Sequence, residues 1–332
     1  MTRWDWTWED RSWANRTPPV EPSPASEEHE SAPVGGGAGP RRDAAEEVFR
    51  RRRAGAGLAL IVLVVLLIGA VASHKSSGHP RVAPTRSHVA TLSPTEVQRA
   101  AVAAKAETKA IESVLAYTPF LRSGGPTGNE VALTFDDGPG PYTQQLVATL
   151  NKLHTHATFF AIGSQEQYFS AGTVAEINSG DVVGDHTETH PMMASLSAHD
   201  QYEQLFDQMA QIEVLGGTRP RLFRPPYGSF NTTTFREMHH LRLLMVLWSV
   251  DTRDYTLPGT GAIVQAALEG AKPGAIILMH DGGGNRAETI AALPAIVEGL
   301  RKRGLHPVTI PRLLLDDPPP RGLAVPTSLA GD

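Results

Sequence analysis

The sequence predicts an α/β fold on a parallel sheet, either a closed barrel or a doubly wound sheet, and three observations carry that expectation. From about residue 128 onward, seven short apolar runs alternate with helical patterns. Such alternation returns the chain to the same end of the sheet each time, which is parallel pairing. The chemistry-bearing residues fall just after the runs: Asp136 and Asp137 after the first, His186 after the third, Arg224 after the fourth, Asp251 and Asp254 after the fifth, His280 after the sixth. In a parallel barrel those strand ends form one face, so residues far apart in the chain converge on one pocket. No repeat of fixed period is present beyond the alternation itself.

Taken in chain order, residues 1–49 are expected to be a disordered cytoplasmic tail. Residues 1–40 carry seven acids against three arginines, prolines at 18, 19, 22 and 24, and a glycine-rich stretch at 34–40. Such a segment buries too little apolar surface to fold alone. Trp4, Trp6, Trp8 and Trp13 are its exception, read either as part of a mobile tail or as a docking peptide for a partner or membrane surface. Residues 50–72 read as a basic flank and a transmembrane anchor. From Ala54 to Ala72 there are nineteen residues without a charge, and as a helix they span about 28 Å, close to the hydrocarbon thickness of a bilayer. Arg50 to Arg53 precede the run, with Arg41 and Arg42 further back, so the N-terminus is expected in the cytoplasm and the C-terminal domain outside, a single-pass arrangement in the cell membrane. The alternative is secretion after signal cleavage near Ala72, where Ala70-Val71-Ala72 fits the small-residue pattern. Both outcomes export the domain.

Residues 73–123 read as a linker and an Ala-rich helix. Ser93-Pro94-Thr95-Glu96 is a capping box with proline at the first helical position, opening a helix to about Ala116 that serves as a stalk or packs on the domain. Gly124-Gly125-Pro126 marks the start of a domain at 124–316. Its strands are expected at Val131–Phe135, Ala157–Ile162, Asp181–Gly184, Arg221–Phe223, Leu243–Val250, Ala275–Met279 and Pro307–Ile310. Helices are expected at about 142–153, 168–178, 198–215, 231–240, 260–270 and 286–303. Residues 317–332 are expected to be a flexible tail.

Composition narrows the function. The 332 residues carry a formal net charge of -5 and no cysteine, which excludes a disulfide-stapled miniprotein and a broadly basic nucleic-acid binder. The sequence identifies no protein partner. An exported domain without disulfides relies on its core, and about 200 residues are ample for one.

The strand Val131–Phe135 ends at Asp136-Asp137, and Gly138-Pro139 breaks it, so two carboxylates sit at the lip of the fold. His186 and His190 follow about fifty residues later at spacing i,i+4. In one helical turn their Cβ atoms would lie about 5–6 Å apart, a span that one metal ion bridges. One Asp and two His around a divalent cation leave positions open for water and substrate, as in catalytic zinc sites. Two adjacent acids then divide the work. One ligates the cation and the other takes a proton from the water that the cation acidifies. Hydrolysis also needs an acid for the leaving group, and His280 at a strand end has a titratable ring. Asp254 is the carboxylate placed to raise its pKa. Arg224, stiffened by Pro225-Pro226, offers a planar fork that matches and orients the base. His154, His156, His239 and His240 read as surface or capping residues, Gly282-Gly283-Gly284 as a flexible rim loop, and Trp248 as core.

Five ordered segments, Thr134-Phe135-Asp136-Asp137-Gly138-Pro139, His186-Thr187-Glu188-Thr189-His190-Pro191, Arg224-Pro225-Pro226-Tyr227-Gly228, Asp251-Thr252-Arg253-Asp254-Tyr255 and Leu278-Met279-His280-Asp281, together resemble the motifs of the polysaccharide deacetylase family. This is carbohydrate esterase family four, the chitooligosaccharide deacetylase homology domain, and the resemblance spans roughly residues 128–313. It implies a distorted (β/α)7 barrel and metal-dependent removal of N-acetyl, or sometimes O-acetyl, groups from polysaccharides. By motif position it implies Asp136 as catalytic base, Asp137, His186 and His190 as metal ligands, Arg224 as the residue that orients the base, and His280 as general acid tuned by Asp254. It implies that the backbone N–H of Tyr227 helps hold the oxyanion and that Leu278 walls the acetyl-methyl pocket. Tyr255 departs from the family pattern, where many members have tryptophan, and so alters the wall of the sugar groove.

The expected function is therefore hydrolysis of N-acetyl groups on an envelope polysaccharide, peptidoglycan or a chitooligosaccharide-like chain, with Zn2+ as cofactor and Co2+ or Ni2+ as substitutes. An O-acetyl esterase on xylan or cell-wall glycan would use the same residues, and assays on both bond types separate the two. A catalytically silent glycan-binding relative is the third reading, and acetate release blocked by a chelator excludes it. A two-carboxylate glycosidase is disfavoured, since adjacent aspartates at one strand end cannot flank a glycosidic bond.

Overall fold

A computed structural model describes residues 94–323. The N-terminal tail, the apolar run at 54–72 and the tether to residue 93 lie outside the described residues, as do residues 324–332. Among the described residues no helix is long and apolar enough to cross a membrane.

Among the described residues there are nine strands: β1 (Phe120–Leu121), β2 (Glu130–Asp136), β3 (Thr158–Ala161), β4 (Val182–Asp185), β5 (Leu222–Phe223), β6 (Leu244–Val246), β7 (Val250–Asp251), β8 (Ile276–His280) and β9 (His306–Val308). Eight α-helices accompany them among the described residues: α1 (Pro94–Leu115), α2 (Thr143–Lys152), α3 (Gly163–Ser179), α4 (Ala198–Val214), α5 (Thr232–Leu241), α6 (Thr260–Gly270), α7 (Ala287–Lys302) and α8 (Ile310–Asp316). The strands form one sheet in the order β1-β6-β5-β4-β3-β2-β8-β7, with β9 on β2, and its strand pairs are parallel.

The sheet curls without closing. The expected strand Leu243–Val250 divides into β6, which pairs with the edge strand β1, and β7, the edge strand at the other end of the order, so residues 247–249 cross from one side of the sheet to the other. The reason for the division is chemical. The carbonyls of Val246 and Leu247 accept hydrogen bonds from the Arg224 side chain (3.0 and 3.3 Å) instead of continuing a ladder. The expected seven-stranded barrel is thus a curled, open parallel sheet.

Alternation along β2 sets the layers. Val131, Leu133 and Phe135 pack outward with Leu146, Leu150, Leu293 and Ile296 of α2 and α7, while Ala132 faces the inside with Phe160, Val246 and Ile276. Asp136, in phase with Ala132, is therefore carried to the inner face at the strand's end. Register levels the elements there: Asp136 pairs with His280 on β8 and with Phe160 on β3, and Asp185 with Phe223 on β5.

The inner core is closed by α1 and α8, through Ala110, Ile111, Val114 and Leu115 of the one and Ile310, Leu313 and Leu314 of the other. Burying aliphatic side chains of this size stabilises by about 1.5–3 kcal/mol each. Strand β1 and the last turns of α1 precede Gly124-Gly125-Pro126, so the packed fold begins upstream of that boundary. The C-terminal segment expected as a free tail opens on anchored residues. Asp317 Oδ2 accepts the N–H groups of Thr127 and Gly128 (2.7 and 2.6 Å), and the Tyr117 hydroxyl donates to the Pro319 carbonyl (2.6 Å).

Candidate active site and metal centre

Six strand ends and the loops after them, those of β2, β4, β5, β6, β7 and β8, build a cavity of about 440 Å³, lined by Asp136, Asp137, His186, His190, Tyr227, Tyr255, Leu278 and His280, with Pro225, Trp248, Asp251, Gly283 and Arg286 completing the wall. The strand-end clustering expected from sequence is what brings these side chains together. Residues from Asp136 to Arg286 meet in one place.

Three side chains present donor atoms within 4.8 Å of one another: Asp137, His186 and His190. Asp137 Oδ1 lies 3.5 Å from His186 Nε2 and 3.1 Å from His190 Nε2. Donors about 2.0–2.2 Å from a tetrahedral ion are spaced by roughly 3.3–3.6 Å, so the set fits a divalent cation. The far ring nitrogens are occupied. His186 Nδ1 donates to the Arg224 carbonyl (2.6 Å) and His190 Nδ1 meets the Tyr227 hydroxyl (3.2 Å). With a cation bound, such outer partners would fix the tautomer that leaves the Nε2 lone pairs free to ligate it. Burial opposes charge on Asp137, but hydrogen bonds from His186 and His190, with the charges of His186 and His280, hold its carboxyl well below the usual range.

The histidine spacing arises differently from the expected helical turn. Residues 186–190 form an irregular loop with Thr187 at φ 70° and His190 at φ 60°, and the rings meet edge-on with centroids 4.9 Å apart. Its backbone is satisfied locally. Asp185 Oδ1 accepts the Thr187 N–H (2.7 Å), Thr187 Oγ1 accepts the His190 N–H (2.9 Å), and the carbonyls of Thr187 and Glu188 accept from Gly163 and Ser164 at the start of α3. Asp137 and Tyr227 also hold positive φ, 70° and 57°. Each left-handed non-glycine residue costs on the order of 1–3 kcal/mol, and strain of this kind collects where function demands a fixed geometry.

Asp136 stands beside the three donors. Arg224 Nη1 donates to its Oδ1 (2.7 Å), and its Oδ2 lies 3.8 Å from His186 Nε2. Arg224 is fully buried and completely engaged: Nη1 also reaches Thr134 Oγ1 (2.9 Å), and the guanidinium lies over the Phe160 ring at 4.3 Å. One carboxylate oxygen is thereby fixed and the other is turned to the cavity.

Across the cavity, His280 Nδ1 donates to Asp254 Oδ1 (2.7 Å) and the His280 backbone N–H donates to Asp254 Oδ2 (2.9 Å). Burial alone would depress the imidazole pKa, but the Asp254 hydrogen bond and charge, with Asp136 and Asp137 nearby, raise it above the ordinary value. The ring is poised to carry a proton on Nε2. Leu278 is buried on the same inner face of β8, while Tyr227 and Tyr255 are exposed on opposite sides, their rings edge-on to His190 (4.7 Å) and His280 (5.3 Å).

Three features escaped the sequence reading. Trp248, expected in the core, is half-buried and lines the cavity. The Gly282-Gly283-Gly284 loop is held in place: Arg286 Nε donates to the Gly282 carbonyl (2.6 Å) and Nη2 to that of Gly283 (3.1 Å). A β-carbon at Gly282 would collide with the Asp137 carbonyl, so the glycine is required for the β8 loop to lie against the loop that carries Asp137. Arg286, buried at the start of α7, carried no motif signal. Asp281 is buried behind the site, hydrogen-bonded by the Thr143 hydroxyl, and burial, with the charges of Asp137 and Asp136 adding to it, raises its carboxyl to about 7. His156 pairs with Asp181 at 3.7 Å and His240 with Glu237 at 3.3 Å, outside the cavity, in keeping with surface roles.

Comparison with known proteins matches residues 123–246 to a family model described as polysaccharide deacetylase. A Bacillus cereus protein named peptidoglycan-N-acetylglucosamine deacetylase is 37% identical over 195 residues, which cover 55% of this chain and 87% of that protein. The Bacillus subtilis peptidoglycan-N-acetylmuramic acid deacetylase PdaC is 35% identical over 189 residues, 57% of this chain. The match spans only 39% of PdaC. Among solved structures, the family 4 carbohydrate esterase from Streptomyces lividans in complex with acetate superposes with a TM-score of 0.53 at 35% identity, covering 56% of this chain and 95% of that one.

Proposed function

Because this chain belongs to the polysaccharide deacetylase family, we propose that it is a metal-dependent hydrolase that removes N-acetyl groups from amino-sugar polysaccharides of the cell envelope. One observation carries the reading: three metal-type donors, an arginine-held carboxylate and an aspartate-held histidine line a single cavity. A binding module has no use for all three.

Asp137, His186 and His190 would hold the cation, and Zn2+ suits an N2O donor set with Co2+ or Ni2+ as substitutes. When bound, the cation supplies Lewis-acid polarisation and acidifies water. The chain's own groups then divide the proton work. Asp136 Oδ2, its partner oxygen fixed by Arg224, accepts a proton from the attacking water. The Tyr227 N–H, in a backbone turned to φ 57°, is the donor proposed for the developing oxyanion. His280 Nε2 delivers a proton to the departing nitrogen, and acetate and a free amino sugar leave. Leu278 bounds the acetyl methyl, and Tyr227 and Tyr255 flank the sugar.

The names of the two Bacillus relatives favour peptidoglycan as substrate, with chitooligosaccharide as an assay surrogate. The arginine-flanked apolar run at 54–72 favours an exported domain tethered to the cell membrane, and cell fractionation with protease protection tests that placement. The decisive assay measures acetate release from peptidoglycan, N-acetylated chitooligosaccharides and acetylxylan, with and without chelator. Release from the N-acetyl substrates that chelator stops and zinc restores is expected. Release from acetylxylan alone would replace the amidase reading with an O-acetyl esterase.

A further inference from the structure

Asp254 is wholly buried, and its carboxylate accepts three hydrogen bonds. Two come from His280 itself, the ring Nδ1–H on Oδ1 and the backbone N–H on Oδ2. The third comes from a different element: the Thr289 hydroxyl, in the first turn of α7, donates to Oδ2 at 2.7 Å. A carboxylate gripped only by the residue it serves follows that residue's motion. A third donor on an independent helix removes this freedom. Thr289 is 1% exposed and does not line the cavity, so it touches neither substrate nor cation. As a β-branched residue in a helix it has few rotamers to lose, and its hydroxyl is held toward Asp254 at small entropic cost. The same turn grips the main chain of the aspartate, since Arg286 Nη1 reaches the Asp254 carbonyl at 3.4 Å. Helix α7 is thus registered on the 254–256 turn at both side chain and backbone.

We propose that Thr289, which lies outside all five motifs, is a positioning residue for His280 acting through Asp254; the catalytic part of this inference rests on the deacetylase reading above. Thr289→Val keeps the shape and removes the donor, while Thr289→Ser keeps the donor. Thr289→Ala replaces the valine variant if that variant does not fold. In the full chain, the valine form is expected to lose about 10- to 100-fold in kcat, the size of effect that small misplacements of a catalytic group produce. Its KM and its zinc affinity by calorimetry should stay unchanged, and the serine form should stay near wild type. Independently of turnover, proton NMR should find the hydrogen-bonded His280 Nδ1–H resonance downfield in wild type and Thr289→Ser, and broadened or lost in Thr289→Val. A valine form with wild-type kcat and an unchanged resonance overturns the inference. So does a serine form as impaired as valine, or a loss that appears in KM and zinc affinity. If wild type releases no acetate from any glycan, the deacetylase reading fails, while the resonance comparison still decides whether Thr289 holds His280.

Discussion

At the residue scale, the site is a set of paired groups, Arg224 on Asp136 and Asp254 on His280, in which the proposed mechanism has the second member act and the first fix it. Asp254 raises the His280 pKa against the opposing effect of burial, and the sign of the consequence follows. In the proposed reaction His280 must be protonated to serve the leaving group, so a raised pKa extends activity to higher pH. In Asp254→Asn the alkaline limb of the kcat/KM profile should move to lower pH, and turnover should fall by about 10²–10⁴-fold, the range associated with a positioned proton donor. An unmoved limb, read from acetate release across pH, would detach Asp254 from that role. The same pairing governs the folded state: stabilisation by the charged ring is present below its unfolded pKa and fades as pH rises through the raised folded value. Most of these pairs were legible in the sequence, because each acting residue ends an apolar run. Thr289 and Arg286 were not, because hydrogen bonds between a helix start and a distant turn leave no periodic or spacing signal.

At the element scale, two interlocked loops matter most. The loop after β8 lies on the loop after β2, with Gly282 against the Asp137 carbonyl and Gly138 against Asp281. Gly282→Ala must push them apart, and zinc affinity, read by calorimetry, should fall by at least roughly 10-fold, as for lost outer support of a metal ligand. Unchanged affinity would mean that the loops move freely. The His186–His190 segment marks where sequence spacing underdetermines structure. Spacing i,i+4 fits a helical turn, yet tertiary hydrogen bonds from Gly163 and Ser164, together with the Asp185 and Thr187 side chains, select a strained loop that still brings both rings to one point. The division of 243–250 into β6 and β7 was equally hidden, since both halves are apolar and only the buried Arg224 side chain, competing for their carbonyls, interrupts the run.

At the scale of the whole molecule, the curled sheet is plugged by α1 and α8 within its inner core, and α1 belongs to that core although its apolar residues are mostly alanines. Its contribution is concentrated in Ile111, Val114 and Leu115, each at most 5% exposed, whereas residues 101–105 are exposed. Ile111→Ala or Leu115→Ala should cost about 2–5 kcal/mol of unfolding free energy in denaturant melts, a large share of a typical domain's stability. A loss below about 0.5 kcal/mol would make α1 a mere stalk. The parallel α/β class was legible from alternation alone, but the open edge and this N-terminal plug were not, because two-residue strands and alanine-rich helices carry little pattern. In the proposed reaction the adjacent aspartates do different jobs, Asp136 moving a proton and Asp137 holding a cation with His186 and His190. The most direct measurement pairs acetate release from an N-acetylated chitooligosaccharide with zinc calorimetry on wild type, Asp136→Asn and His186→Ala. Asp136→Asn should bind zinc nearly as wild type does and release no acetate, and His186→Ala should lose both; full acetate release by Asp136→Asn would contradict the account.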